Sequence, residues 1–516
     1  MPRFTLPSAS KAWIAATALA FSAVLLPPAH ADDSAVTPAR PKLLTNRWQE
    51  DWSALATSAL RSEPFDALKY IPLFVTDPKS YISLGASLRE RFEFNDAPNF
   101  GVGNTRGDSY LLQRLQINVD IRLNENWQIF TQLEDVRTID KASVSPVDQN
   151  QLDLRLAFIA YSGALGDGIF KARVGRQDFA FDLQRFVSSR DGPNVRQSFD
   201  AVWADYETGL WRFIGFVSQP VQYRFGDVFD DFSGQNFRFS TARIERKVFG
   251  DNELSGYYSL FQRSSARYLD ALGEETRHIF DVRFAGNANG FDWDLEAMGQ
   301  TGHVGPKEIE AWALGGRTGY TFSNAAWTPR IGLQADAASG DGRAGDNTIS
   351  TFNPLFPNGY YFSLAGYTGY ANLIHLKPTL SVKPIANLTV TAGLGMQWRQ
   401  TVADAVYVQP NVAVAGTAGQ GSRWTGVYSQ LRADYVFNAN LTGAVEAVHT
   451  PLATRCGTPA GTTAIIWVWS SNMGGNRTSG GHEAWFHFVP RRNRLHARPP
   501  SVPFWRDGSD DADISA

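Results

Sequence analysis

The sequence predicts an all-β protein, a transmembrane antiparallel β-barrel of the outer-membrane type with about 18 strands. Three observations carry this. The chain opens with an export signal, its body repeats segments of about ten residues that alternate apolar with polar, and its 516 residues hold one cysteine. An exported chain is usually cysteine-paired or cysteine-free, and Cys456 alone forms no intrachain disulfide.

Residues 1–31 read as a signal peptide. Arg3 and Lys11 supply the positive end, Ala12 to Leu26 the apolar stretch, and Ala29-His30-Ala31 the small-x-small cleavage pattern before Asp32. Elsewhere the chain has no uninterrupted apolar run of the length a helical span needs. Residues 32–79 form a periplasmic lead-in, partly helical: Trp48, Trp52, Leu55, Leu60 and Leu68 are interleaved with charges up to Tyr70 and closed off before Pro72. Lysine plus arginine (48) nearly balance aspartate plus glutamate (51), which argues against a basic nucleic-acid binder. High glycine (45) and aromatic content (13%) suit turns and interfacial girdles.

Residues 80–449 are the predicted barrel. In Tyr110 to Leu123, Leu111, Leu115, Ile117, Val119, Ile121 and Leu123 fall on one face and Arg114, Gln116, Asn118, Asp120 and Arg122 on the other. Strand side chains alternate faces, so this is a ribbon between two solvents, whereas a helix would scatter the charges all round. The pattern recurs in Leu152 to Tyr161, where Leu152, Leu154, Leu156 and Phe158 oppose Asp153 and Arg155. It recurs again in Phe291 to Gln300, Leu388 to Arg399 and Val427 to Val436. A soluble sandwich also alternates; segment length, aromatic content and the export signal favour the membrane. About 17 candidate segments lie between residues 80 and 449. Glu90 sits on the otherwise apolar face of Leu84, Leu88, Phe92 and Phe94, which places it near an interface or beyond a bulge. Asp96 to Gly107, Asp336 to Asn347 and Ala413 to Ser422 are expected to be long loops.

Enzymatic chemistry finds no support. Gly101 to Gly107 (GVGNTRG) lacks dinucleotide-loop spacing, eight histidines show no zinc spacing, and no nucleophile elbow precedes a helix. Asp336, Asp341 and Asp346 offer calcium ligands, but an exposed polar loop explains them better. No cofactor and no metal are expected.

Longer stretches resemble the bacterial alginate export family over nearly the whole mature chain. They are NRWQEDWSALATSALRSEPFDALKYIPL with YISLGASLRERFEF, then FTQLEDVR, GRQDFAFDLQRFVSSRDGPNVRQSFDAV, ASGDGRAGDNTISTFNPLFPNGYYF and WRQTVADAVY. The resemblance implies an 18-stranded monomeric pore in the outer membrane, without enzymatic activity. Its lumen would carry basic side chains that guide an alginate-like polyuronate outward. Implied partners are the anionic polysaccharide, outer-membrane lipid and a periplasmic scaffold lipoprotein, with no nucleic acid. Polar strand faces present Arg89, Arg91, Arg114, Arg122, Arg155, Lys171, Arg173, Arg283 and Arg432. Glu93, Asp120, Glu134, Asp153, Asp281 and Asp434 are interleaved with them. Arg176, Arg185, Arg190 and Arg196 are further candidates, alternatively anchors of an internal loop. Guanidinium groups stay charged and match carboxylates bidentately; the bland alternative is that these residues pair across strands and stiffen the wall. Competing functions are an anion-selective diffusion porin and a soluble secreted carbohydrate-binding or carbohydrate-cleaving β-protein.

After His449 alternation stops, and residues 450–516 read either as a disordered extracellular or periplasmic extension or, the favoured reading, as a disordered tail translated out of frame. Tryptophan has only the codon TGG and methionine only ATG. Reading IIWVWSSNMGGN from the third base of each codon therefore permits Tyr-Leu-Gly-Val-Glu-Leu-Lys-Tyr-Gly-Trp and then a stop, an alternating strand with an aromatic end. On this reading a frameshift has removed the last strand, leaving unpaired edges in lipid.

Overall fold

The computed structural model describes residues 40–96 and 107–450 and the backbone of 462–473. The predicted signal peptide and most of the predicted tail lie outside the described residues. Long strands follow one another: β1 (Asp77–Asn95), β2 (Asp108–Leu123), β3 (Trp127–Ile139), β4 (Asn150–Leu165), β5 (Gly168–Gln177) and β6 (Phe199–Thr208). Next come β7 (Trp211–Pro220), β8 (Phe237–Val248), β9 (Asn252–Arg267), β10 (Leu272–Ala288), β11 (Phe291–Val304) and β12 (Lys307–Thr321). The series ends with β13 (Arg330–Ala338), β14 (Leu373–Ile385), β15 (Leu388–Trp398), β16 (Trp424–Asn438) and β17 (Leu441–Thr450). Each pairs antiparallel with the next.

An eighteenth strand, β18 (Thr462–Met473), lies within the segment expected to be disordered. It runs antiparallel to β17 and to Ala86–Asn95 of β1. The run Ile465-Ile466-Trp467-Val468-Trp469 has the β-branched and aromatic composition strands favour, which the missing alternation obscured. The first part of β1 is covered differently: Ile71–Phe74 of the lead-in folds back on it, with Ile71 opposite Ile82 and Phe74 opposite Asp77.

The wall is inside-out relative to a soluble protein. Along β2, Ile117 is 49% exposed while its neighbour Asn118 is 4% exposed. Leu295, Leu394 and Leu431 are likewise exposed, and Asp294, Glu296 and Gln397 buried. Such a wall suits oil outside and a polar interior. The expected faces hold except in β4. There the register passes from Gln132 opposite Leu156 to Leu133 opposite Leu154, leaving Arg155 as an extra residue. That bulge shifts the phase, so Leu156 and Phe158, expected on the apolar outer face, point inward and are buried. Glu90 needs no bulge, since the β1–β2 register is unbroken around it. It lies close to the end of β1 and accepts a 2.5 Å hydrogen bond from Gln113 Nε2, directly opposite on β2.

One end of the sheet carries mostly short turns. Asn289-Gly290, between β10 and β11, has φ of 52° and 84°, the left-handed pair that a two-residue hairpin turn requires. Trp127, Trp211, Phe213, Tyr320 and Trp327 stand exposed at this end, and Phe92, Phe94, Trp312 and Trp424 toward the other. Outer-membrane barrels put short turns on the periplasmic side and place aromatic girdles at both interfaces.

The polar interior is filled from both ends. From the short-turn end comes the lead-in, in single helical turns at Arg47–Gln49, Ser53–Ala56, Ser58–Leu60 and Asp66–Lys69. From the other end two loops, residues 178–198 and 350–372, fold inward. Phe179, Phe186, Phe352, Phe356, Tyr361, Phe362 and Tyr370 from these loops pack with Phe199, Phe216 and Phe239 of the wall as the main apolar cluster.

Candidate functional site

All the predicted guiding residues on the strands except Arg176 share the inward face. Arg176 has the parity of Val174, which is exposed, and pairs with Asp200 opposite it on β6 at 2.9 Å. Near the long-loop end it therefore supports the wall, at 3.9 Å from Asp153, and does not line the lumen.

Two groups form. In the first, β1 and β2 grip the loop 178–198. Arg89 donates to the carbonyls of Asp191 (2.8 Å) and Pro193 (3.1 Å), and Arg114 pairs with Asp191 at 2.7 Å. Arg91 pairs with Glu93 at 2.7 Å and lies 4.5 Å from the ring centre of Tyr360; Tyr110 Oη donates to Glu93. In the second, wall residues hold the lead-in and the start of the same loop. Arg122 pairs with Asp120 and donates to the carbonyls of Trp48 and Glu50, both at 3.0 Å. Arg155 pairs with Asp178 (3.0 Å) and Glu134 (3.4 Å). The Arg173 guanidinium carbon lies 4.3 Å from the ring centres of both Trp48 and Trp203. Farther along the wall, Lys171 pairs with Glu207, Arg283 with Asp182, Glu253 and Asp294, and Arg432 with Asp434 and Glu446.

The other arginines act as loop anchors, one of the two roles expected of them. Arg185 is buried against Glu296 and Asp294, and its Nε donates to Tyr361 Oη at 2.5 Å. Arg196 sits 3.3 Å from Asp191 and donates to Asn46 Oδ1 of the lead-in. Arg190 donates to the Leu355 carbonyl of the second loop. Trp48 Nε1 donates to Asp178, so the lead-in and the inserted loop meet inside the lumen.

Charge fixes the loop carboxylates. Burial pushes Asp191 up, but Arg114, Arg196 and Arg89 outweigh it and hold the carboxyl well below the usual carboxylate range. Asp178 is lowered too, its desolvation overcome by Arg155 and Arg196. Arg196 is itself brought down to about 10, by burial and by the nearby Arg155. In the loop between β7 and β8, burial and the neighbouring Asp153 push Asp231 up to about 7. Asp153, Asp230 and Asp231 bring carboxylate oxygens within 4.8 Å of one another and are the group among the described residues able to hold a metal ion. Asp336, expected in an exposed loop, is a buried strand residue because β13 runs on to Ala338; it accepts from Tyr361 Oη at 2.8 Å and contacts His375.

Sequence reasoning did not single out Trp203, Asp178, Asp191 or Tyr361, nor an inward role for Trp48. A signal existed: FAFDLQRFV is too apolar for an exposed loop, and its alternation breaks at Arg185-Phe186-Val187.

The alginate export family model matches residues 80–451. Among solved structures, a BenF-like porin from Pseudomonas fluorescens Pf-5 matches with a TM-score of 0.53 at 10% identity, covering 76% of this chain and 98% of that one. OccK2 (OpdF) of Pseudomonas aeruginosa matches with a TM-score of 0.52 at 10% identity over the same shares, and its complex with glucuronate with 0.51 at 10%. Comparison with curated proteins gives no match. At this identity the porins speak for the fold alone, a large antiparallel β-sheet of the porin type. With most of its length matched by the family model, the chain belongs to the alginate export family.

Proposed function

We propose that this outer-membrane channel exports an anionic polysaccharide, an alginate-like polyuronate, along an arginine-lined lumen. The observation that carries the reading is the density of inward basic side chains, Arg89, Arg91, Arg114, Arg122, Arg155, Arg173, Arg283 and Arg432, on a wall whose outer face is apolar. Each of these guanidiniums other than Arg173 can exchange its protein carboxylate or carbonyl for a uronate carboxylate of the same geometry, so passage replaces one pair by another. Many such weak sites in series let a polymer advance without being trapped. The inserted loop and the lead-in are held by these same polar contacts, and their displacement would open the path. The reading takes the chain to work as a monomer that receives its polymer from a periplasmic scaffold lipoprotein.

Reversal potentials in planar bilayers test the charge guide. Wild type is expected to prefer anions, and Arg114→Glu with Arg155→Glu is expected to abolish that preference. Unchanged selectivity would mean that these arginines only stiffen the wall. Free flux of small organic anions without block by polyuronate would favour a diffusion porin.

A further inference from the structure

At the short-turn end, between the lead-in and the wall, lies a cavity of about 130 Å³ lined by Trp48, Arg122, Gln128, Lys171, Arg173 and Trp203, among others. Arg173 is 6% exposed. Its Nε and Nη1 are buried, and among the described residues neither has a hydrogen-bond partner. A buried charged donor left without a partner costs free energy that a ligand recovers on binding. The Arg173 guanidinium carbon lies 4.3 Å from the ring centres of both Trp48 and Trp203 and 5.6 Å from that of Phe158, and its N–H groups project from the edge of the plane. Arg122, paired with Asp120, and Lys171, paired with Glu207, line the same space, with Glu125 at its rim.

We infer that Arg173, beside Trp48 and Trp203, is the edge of a carboxylate-binding site at the periplasmic mouth, which takes a uronate unit of the polymer before it enters the lumen. The inference rests on the export reading and adds where the substrate is first held. A guanidinium edge offers parallel N–H pairs, Nε with Nη2 or Nη1 with Nη2, and either fits a carboxylate bidentately, which a neutral sugar does not offer. Trp48 belongs to the lead-in, so occupation of this site is coupled to the segment that fills the mouth.

Single-channel block by a hexameric polyuronate added to the periplasmic side tests it, with maltohexaose as the neutral probe. Wild type is expected to be blocked by the uronate and not by maltohexaose. Arg173→Gln is expected to raise the blocking concentration by about tenfold, and Trp203→Ala, which removes one of the rings beside the guanidinium, by about threefold. Should Arg173→Gln fail to assemble, Arg173→Lys keeps the charge without the planar edge and is expected to lose about threefold or more. Block of the variants at wild-type concentrations overturns the site while leaving export standing. Failure of the uronate to block wild type at all overturns both.

Discussion

The titrating carboxylates differ in sign, and that difference can be read out. Asp191 and Asp178 have their proton affinity lowered by the arginines around them. Their contribution to docking the loop 178–198 is present above the ordinary carboxylate range and is lost only as pH falls through their depressed values. Asp231 is the opposite case. Its carboxyl is raised to about 7 by burial and Asp153, so the folded loop holds a proton that the free chain would release. Its docking is favoured in acid and weakens as pH rises from the unfolded value toward 7. Hydrogen exchange at pH 5.5 and pH 8, corrected for intrinsic rates, should show residues 221–236 less protected at pH 8 and residues 178–198 unchanged. Equal change in both segments would contradict the assignment.

Among the elements, the inserted loop 178–198 stands out as a separately held piece. Arg185 fixes it to β11 through Asp294 and Glu296, with no exposed side-chain surface of its own. Removing one partner of a buried pair leaves the other charge uncompensated and typically costs about 3–5 kcal/mol. Arg185→Met is therefore expected to release the loop, giving several-fold larger and noisier conductance, with assembly, measured as heat-modifiable migration, preserved. Conductance like that of wild type would mean that the apolar contacts of Phe186 and Phe356 hold the loop unaided. The strands themselves were legible from period-two alternation because each separates two solvents. The inserted loop was not, because burial inside a lumen leaves no period, and its arginines read equally well as guides or as anchors. The β4 bulge was invisible for a similar reason: one extra residue at Arg155 reverses the faces of Leu156 and Phe158 without changing composition.

At the scale of the molecule, the seam between first and last strands is where sequence and structure bear on each other most. β18 meets β1 only over Ala86–Asn95, and the lead-in strand covers part of what remains. Restoring the alternative reading frame after His449 is expected to increase the heat-modifiable, membrane-inserted fraction, because an alternating strand would seat better at an edge in lipid. No gain would count against an out-of-frame tail. The number of strands before residue 450 was readable from the pattern. The course of the chain after it was not, since IIWVWSSNM is apolar without alternation. The inward face was readable for most strands; it failed for Leu156 and Phe158 beyond the β4 bulge, and for Arg176, whose odd spacing from Arg173 already places it on the face of Val174.

The account rests on a wall whose apolar face meets lipid and whose charged face meets the lumen. With Cys456 replaced by serine, a fluorophore is attached in turn to a cysteine at each position from Leu115 to Ile121, and the protein is reconstituted with brominated lipid. Quenching strong at Leu115, Ile117, Val119 and Ile121 and weak at Gln116, Asn118 and Asp120 is the expected result. Uniform quenching, none at all, or alternation in the opposite phase would contradict it.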